Sequence, residues 1–153
     1  MKILMVCLGN ICRSPLAEGI MKTKLSEEFF VDSAGTIDLH QGEHPDRRAT
    51  KTAKNHGVDI SKQHSRLITT KDLEEFDRIY CMDLSNLEDV LSLAKNDEQR
   101  SKIALLMDAA GLQPREVPDP YFGGEEGFEK VFQQIDKACD ALSEKLISLK
   151  NQQ

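Results

Sequence analysis

Two side chains near the start of the chain have the types and spacing for chemistry at phosphorus. Cys7 and Arg13 bracket the loop Cys7-Leu8-Gly9-Asn10-Ile11-Cys12-Arg13-Ser14. A thiol becomes a strong nucleophile as its thiolate, and a helix start or a neighbouring guanidinium favours that form. Arg13 offers a planar fork that matches two phosphoryl oxygens. Ser14 can donate its hydroxyl to the sulfur and ease its departure in a second step. A lone Cys-x5-Arg spacing is weak evidence. The same spacing after an apolar strand, with Gly9-Asn10 inside it and Ser14-Pro15 at a helix start, is far more specific.

The elements that must hold these groups follow from the pattern around them. Ile3 to Val6 is an apolar run that reads as a buried strand. Ser14 suits an N-cap and Pro15 the first helical position, so a helix opens there, with Leu16, Ile20 and Leu25 toward one face. The loop thus lies at the carboxyl end of a strand, where open α/β sheets bind ligands. Its amides can form an anion-binding nest, and the helix start adds orphan donors. Gly9 accepts backbone geometry that other residues resist, and Asn10 tolerates the left-handed region.

Further along, Phe29 to Asp32 predicts a second strand closing on Ser33-Ala34-Gly35, followed by an exposed loop over Thr36 to Asp46. Arg48 to His56 predicts a helix stopped by Gly57, and Thr70-Lys71-Asp72 opens a short helical turn. Arg78 to Met82 predicts a third strand, Ser85 to Lys95 a helix, and Ile103 to Met107 a fourth strand or buried turn. Pro114 to Gly124 is a loop. Phe128, Val131, Phe132, Ile135, Cys139, Leu142, Leu146 and Leu149 mark a long amphipathic helix. Strands alternating with helices predict an α/β domain on a parallel sheet, spanning 1–150, with 151–153 as a frayed tail.

Composition narrows the partners. The chain has 153 residues, 39% hydrophobic and 30% charged, with a net charge of -6. That balance argues against nucleic acid or an acidic membrane as partner. No apolar stretch is long enough to span a bilayer, and the first residues lack the pattern of a secretory signal, so a cytoplasmic location is expected. Of the four cysteines, Cys81 and Cys139 read as small buried residues. No Cys-x2-Cys pair is present, so neither a disulfide framework nor structural zinc is expected.

A reaction that expels an alkoxide or phenoxide also needs a proton donor. Asp119, between Pro118 and Pro120, is the candidate, because the two prolines restrict the backbone on both sides. By spacing alone it reads first as an ordinary turn residue.

The stretch from Val6 to Pro15 resembles the signature of the low-molecular-weight protein tyrosine phosphatases. Asp32-Ser33-Ala34-Gly35-Thr36, Cys81-Met82-Asp83 with Ser85-Asn86, and Val117-Pro118-Asp119-Pro120-Tyr121 resemble further blocks of that family, in its order. The resemblance implies a three-layer αβα fold with a four-stranded parallel sheet. It also implies a two-step hydrolysis of protein phosphotyrosine or small aryl phosphates through a cysteinyl-phosphate on Cys7. Arg13 and the amides of Leu8, Gly9, Asn10, Ile11 and Cys12 would hold the phosphoryl group or another oxyanion. Asp119 would serve as acid and then base. No metal or cofactor is implied, because Arg13 and the amides supply the positive charge, and a monomer is expected.

Ile11 resembles the phosphotyrosine enzymes, whereas relatives acting on phosphoarginine carry Thr there. Tyr121 and Phe122 are expected to wall the substrate pocket, and Leu39 stands where the family commonly has an aromatic residue. Asn10 and Ser33 are expected to brace the loop, joined by either Gln63 or His64. Asp83 would either orient Arg13 or cap the next helix. His44 and His56 read as surface or packing residues. Cys12 lies close enough in sequence to trap oxidised Cys7 as a disulfide. Rival readings are an arsenate reductase, which would need further relay cysteines near Cys81, a phosphocysteine carrier, which would not need Arg13 or Asp119, and a silent phosphotyrosine-binding module.

Overall fold

In the computed structural model, which describes residues 1–152, the central strand is β1 (Lys2–Cys7), the apolar run before the loop. It pairs in parallel with β2 (Phe30–Gly35) on one side and β3 (Arg78–Cys81) on the other; β4 (Ile103–Leu105) extends the sheet beyond β3. The order β2-β1-β3-β4 makes the expected four-stranded parallel sheet. Alternation along β1 assigns its two faces. Ile3, Met5 and Cys7 enter one core, and Leu4 and Val6 enter the other.

Helix α1 (Arg13–Lys24) packs on the first face with α7 (Glu125–Asn151). In α7, Phe128, Val131, Phe132, Ile135, Cys139, Leu142 and Leu146 are buried, each large side chain contributing about 1.5–3 kcal/mol. Helix α2 (Arg47–Asn55) joins this layer through Ala49 and Ala53 and stops before Gly57 at φ 77°. Leu73 of α3 (Thr70–Glu75) and Val90 of α4 (Leu84–Leu93) cover the second face.

Several boundaries differ from expectation. Ser14 is not the N-cap of α1. The helix begins at Arg13 after Cys12, which makes no side-chain cap, and the Ser14 hydroxyl is drawn inward instead. Pro15 still falls in the first turn, where a missing N–H costs little. Strand β2 starts one residue later than expected, at Phe30, and includes Ser33-Ala34-Gly35, on which it ends. Two short helices, α5 (Asp97–Ser101) and α6 (Leu106–Ala110), lie where no helix was expected, and the segment from Ile103 divides into β4 and α6. Of the expected tail, Asn151 ends α7 and Gln152 is a turn, while Gln153 lies outside the described residues.

Candidate active site

Cys7 is the last residue of β1 and sits opposite Gly35 in the ladder, 3% exposed. From there the chain folds over the end of β2. A Cβ on Gly35 would lie 2.8 Å from the carbonyl oxygen of Leu8, so only glycine lets the loop approach this closely. The left-handed residue of the loop is Asn10, at φ 56°, and not Gly9. Gly9 is small for a different reason: a Cβ there would press on the His40 ring at 3.1 Å. Among the described residues, none accepts a backbone hydrogen bond from the amides of Leu8, Gly9, Asn10, Ile11 or Cys12. These N–H groups precede the start of α1, which makes the loop a cradle for an anion.

A buried polar network ties the cradle to its neighbours. The Asn10 Nδ2 donates to Ser14 Oγ at 2.8 Å and to Ser33 Oγ at 2.9 Å. Ser14 accepts that bond, and its own hydroxyl hydrogen can turn to Cys7 Sγ, 3.0 Å away, in preference to the more distant Ala34 carbonyl at 3.5 Å. Ser33 in turn donates to Glu18 Oε1 at 2.7 Å, and Glu18 is bridged to Lys22. The connector contributes neither Gln63 nor His64 to this network. Gln63 bonds the carbonyl of Pro15, and His64 is exposed beside His44, with ring centroids 4.3 Å apart. The group that reaches the loop is the backbone N–H of Arg66, donating to Asn10 Oδ1 at 3.0 Å. The Arg66 side chain is pinned between Asp32 and Asp72, which fixes that amide.

Arg13 is buried at 2% exposure beneath the loop. Its Nη1 donates to Asp83 Oδ2 at 2.6 Å and to the carbonyl of Val117 at 3.0 Å. Burial opposes its charge, but Cys7, the Asp83 hydrogen bond and the carboxylates of Asp83 and Asp119 outweigh that and hold it above the usual guanidinium range. Asp83 performs both expected tasks, since its other oxygen accepts from the Asn86 amide and caps α4. Asp119 Oδ2 lies 3.7 Å from Arg13 Nη2, and its Oδ1 accepts from the Tyr121 amide at 3.0 Å. Val117 N bonds the carbonyl of Met82, docking the acid-bearing loop on the end of β3. Burial, and then the carboxylate of Asp46, push the Cys12 thiol well up, and burial does the same to Cys81 and Cys139. All four cysteines are free.

The cleft above Cys7 has a volume of about 160 Å³ and is lined by the loop together with Arg13, Ile37, Leu39, His40, Asp119, Tyr121 and Phe122. Low molecular weight phosphotyrosine protein phosphatase is the family whose model matches residues 2–152. The chain belongs to that family. The human low molecular weight phosphotyrosine protein phosphatase is 41% identical over 150 residues, covering 94% of each chain. A protein tyrosine phosphatase of Entamoeba histolytica, solved with Hepes in its active site, superposes with a TM-score of 0.92 at 40% identity, covering 98% of this chain and 99% of that one. A Drosophila arginine phosphatase superposes with a TM-score of 0.88 at 34% identity, covering 95% and 98%.

In this phosphatase-family chain most of the residues expected from sequence converge on one cleft: Cys7, Leu8, Gly9, Ile11, Cys12 and Arg13 line it with Leu39, Asp119, Tyr121 and Phe122, while Asn10, Ser14, Ser33 and Asp83 lie behind. Leu39 and Phe122 stand at its rim, 74% and 97% exposed. The edge of the Tyr121 ring meets Phe122 at 5.1 Å and His40 at 6.3 Å. Sequence reasoning missed Ile37, His40, Glu18 and Arg66. An acidic residue among the apolar positions Leu16 and Ile20 was the available signal for Glu18. His40 had a signal in the His-x-Gly spacing of Leu39-His40-Gln41-Gly42; Ile37 and Arg66 have none, because loop packing alone brings them in. His44 Nδ1 donates to the Gln63 carbonyl at 3.1 Å, and His56 stacks on Phe132 and pairs with Glu129, so both are exposed residues that make surface and packing contacts.

Proposed function

We propose that the chain hydrolyses aryl phosphate monoesters, with phosphotyrosine in proteins as the favoured class. The observation that carries this reading is the convergence of a Ser14-bonded Cys7, a buried Arg13 and Asp119 on one cleft of free amides. In the first step Cys7 Sγ attacks phosphorus. The S–P bond forms, the ester P–O bond breaks, and Asp119 gives its proton to the leaving oxygen. Arg13 and the loop amides hold the equatorial oxygens as charge redistributes. In the second step Asp119 takes a proton from water as its oxygen attacks phosphorus. The S–P bond breaks, and the Ser14 hydroxyl receives the sulfur's returning charge. The positive charge the phosphoryl group needs is supplied by protein groups. The reading extends to a monomer working where thiols stay reduced, in the cytoplasm. No helix among the described residues is long and apolar enough to cross a membrane.

Turnover of p-nitrophenyl phosphate with EDTA present tests the reading. Wild type should be active, Cys7→Ser inert, and Asp119→Ala slowed about 10²–10⁴-fold, the range of a general acid. An inactive wild type refutes it. Phosphoarginine is the second reading, favoured by the likeness to the Drosophila arginine phosphatase. Ile11, which lines the cleft, supports tyrosine instead, and paired phosphotyrosine and phosphoarginine peptides decide between them.

A further inference from the structure

Arg48 lies outside the phosphate cradle yet grips the loop that carries Asp119. Its position is fixed from behind. Asp46 caps α2 by accepting from the Arg48 amide at 2.8 Å, and its two oxygens hold Nε and Nη2 of the same residue at 3.1 and 3.0 Å. The Asp46 amide donates to the carbonyl of Ile11, so this pair is anchored to the cradle itself. The guanidinium then lies over the buried Phe128 ring, 4.6 Å from its centroid. Its free edges face the acid loop: Nη2 donates to the carbonyl of Tyr121 at 2.8 Å and Nη1 to that of Gly123 at 3.1 Å. Tyr121 is the residue whose amide holds Asp119 Oδ1. Gly123 N closes the turn onto the carbonyl of Pro120. One planar fork therefore spans the turn that fixes the carboxyl, and it is referenced to the loop that would fix the phosphate.

We propose that Arg48 is a positioning residue for the general acid, holding the Asp119 turn at a set distance from the phosphate cradle. This rests on the reading of Asp119 as the acid. A plain structural role, an ion pair stabilising the first turn of α2, would lower stability without touching proton delivery. The two differ in how rate depends on the leaving group. A displaced acid slows expulsion of a basic phenoxide, whereas 2,4-dinitrophenoxide, a much weaker base, leaves with little help.

The test is kcat/KM for phenyl phosphate and for 2,4-dinitrophenyl phosphate in wild type, Arg48→Ala, Arg48→Lys and Asp119→Asn. Inhibition by inorganic phosphate and thermal unfolding are measured alongside. Arg48→Ala should lose about 10- to 100-fold on phenyl phosphate, the scale of a misplaced catalytic group, and less than about threefold on the dinitro ester. Phosphate inhibition should hold, because the cradle is intact. Arg48→Lys should recover little, since a point charge cannot span two carbonyls. It also serves if the alanine variant does not fold. Adding Arg48→Ala to Asp119→Asn should cost almost nothing more, because both remove the same contribution. Equal losses on both esters, or full activity with only a lower Tm, would overturn the proposal for Arg48. If Asp119→Asn itself shows no leaving-group dependence, the acid assignment fails first.

Discussion

Asp83 joins two devices that a single isosteric change separates. One oxygen accepts from buried Arg13 at 2.6 Å, and the other accepts from the Asn86 amide at 2.8 Å in a capping box at the start of α4. Asparagine is as good an N-cap as aspartate, so Asp83→Asn keeps the cap through its one oxygen and turns an Nδ2 donor toward Arg13, which loses that acceptor. A hydrogen bond to a charged group contributes about 1.5–3 kcal/mol. Asp83→Asn should therefore cost about 1.5 kcal/mol of stability, the low side of that range because the Asp83 side chain is 22% exposed and partly screened. Asp83→Ala loses the cap as well, for a total of about 2–4 kcal/mol. Activity should divide differently. Both variants leave Arg13 Nη1 with the Val117 carbonyl as its main anchor, so the fork is less well aimed. A loss of about 1.4 kcal/mol in aim is tenfold in kcat/KM, and both variants should show about that. Urea unfolding at neutral pH and aryl phosphate kinetics on the same preparations give the two readouts. If Asp83→Asn is as unstable as Asp83→Ala, or if it keeps wild-type kcat/KM, then the 2.6 Å contact does not orient Arg13.

Four further outcomes are expected. Ser14→Ala removes the donor facing Cys7 Sγ and should lower kcat about 10- to 100-fold, from 1.5–3 kcal/mol of charged hydrogen bond; rapid mixing should show a burst of phenol equal to the enzyme as the cysteinyl-phosphate accumulates. Asn10→Ala and Asn10→Gly lose the same three side-chain bonds, but alanine also carries the left-handed strain of φ 56°, so it should unfold about 1 kcal/mol more easily than glycine. Burial raises the Asp46 carboxyl pKa, but its bonds to Arg48 outweigh this and hold it below the ordinary 3.8. Its stabilising contribution is thus complete above that value and lost as pH falls through the lower folded one, so Asp46→Asn should flatten the acid limb of a Tm-against-pH curve. Peroxide should form a sulfenic acid on Cys7 that condenses with the Cys12 thiol, releasing water, and dithiothreitol should restore activity; intact-loop mass spectrometry without that crosslink would count against it.

The sheet was legible because β1 and α7 each bury what their periodicity demands. Ile3 to Val6 has no polar residue to interrupt it, and the apolar positions of α7 recur along one face for its whole length. The cradle was legible because its residues are contiguous. What was not legible is whatever depends on loops meeting. The Arg66 amide reaches Asn10 only because its side chain is held by Asp32 on β2 and Asp72 on α3. Gln63 and His64 lie close by in sequence, and nothing in spacing alone says that the backbone N–H, not a ring or amide side chain, makes the bond. Ser14 was misplaced for a related reason. A serine before a proline at a helix start reads as a cap, but here the hydroxyl is taken by its other expected partner, the buried Cys7 sulfur at 3.0 Å. Short α5 and α6 have too few turns to show a period.

The parallel sheet has a consequence for synthesis. Cys7 is made well before α7, but the face it shares with Leu16 and Ile20 is covered by Val131, Ile135 and Leu142 of that helix. Asp119 is also translated late, and its loop docks on Met82 and on α2, which must already be folded. A nascent chain still missing α7 therefore holds Cys7, Arg13 and Asp119 without the helix that completes the core behind Cys7. Long-range parallel pairing of this kind forms slowly. Recovery of phosphatase activity during refolding should lag recovery of helical circular dichroism, making turnover a reporter of the final docking step.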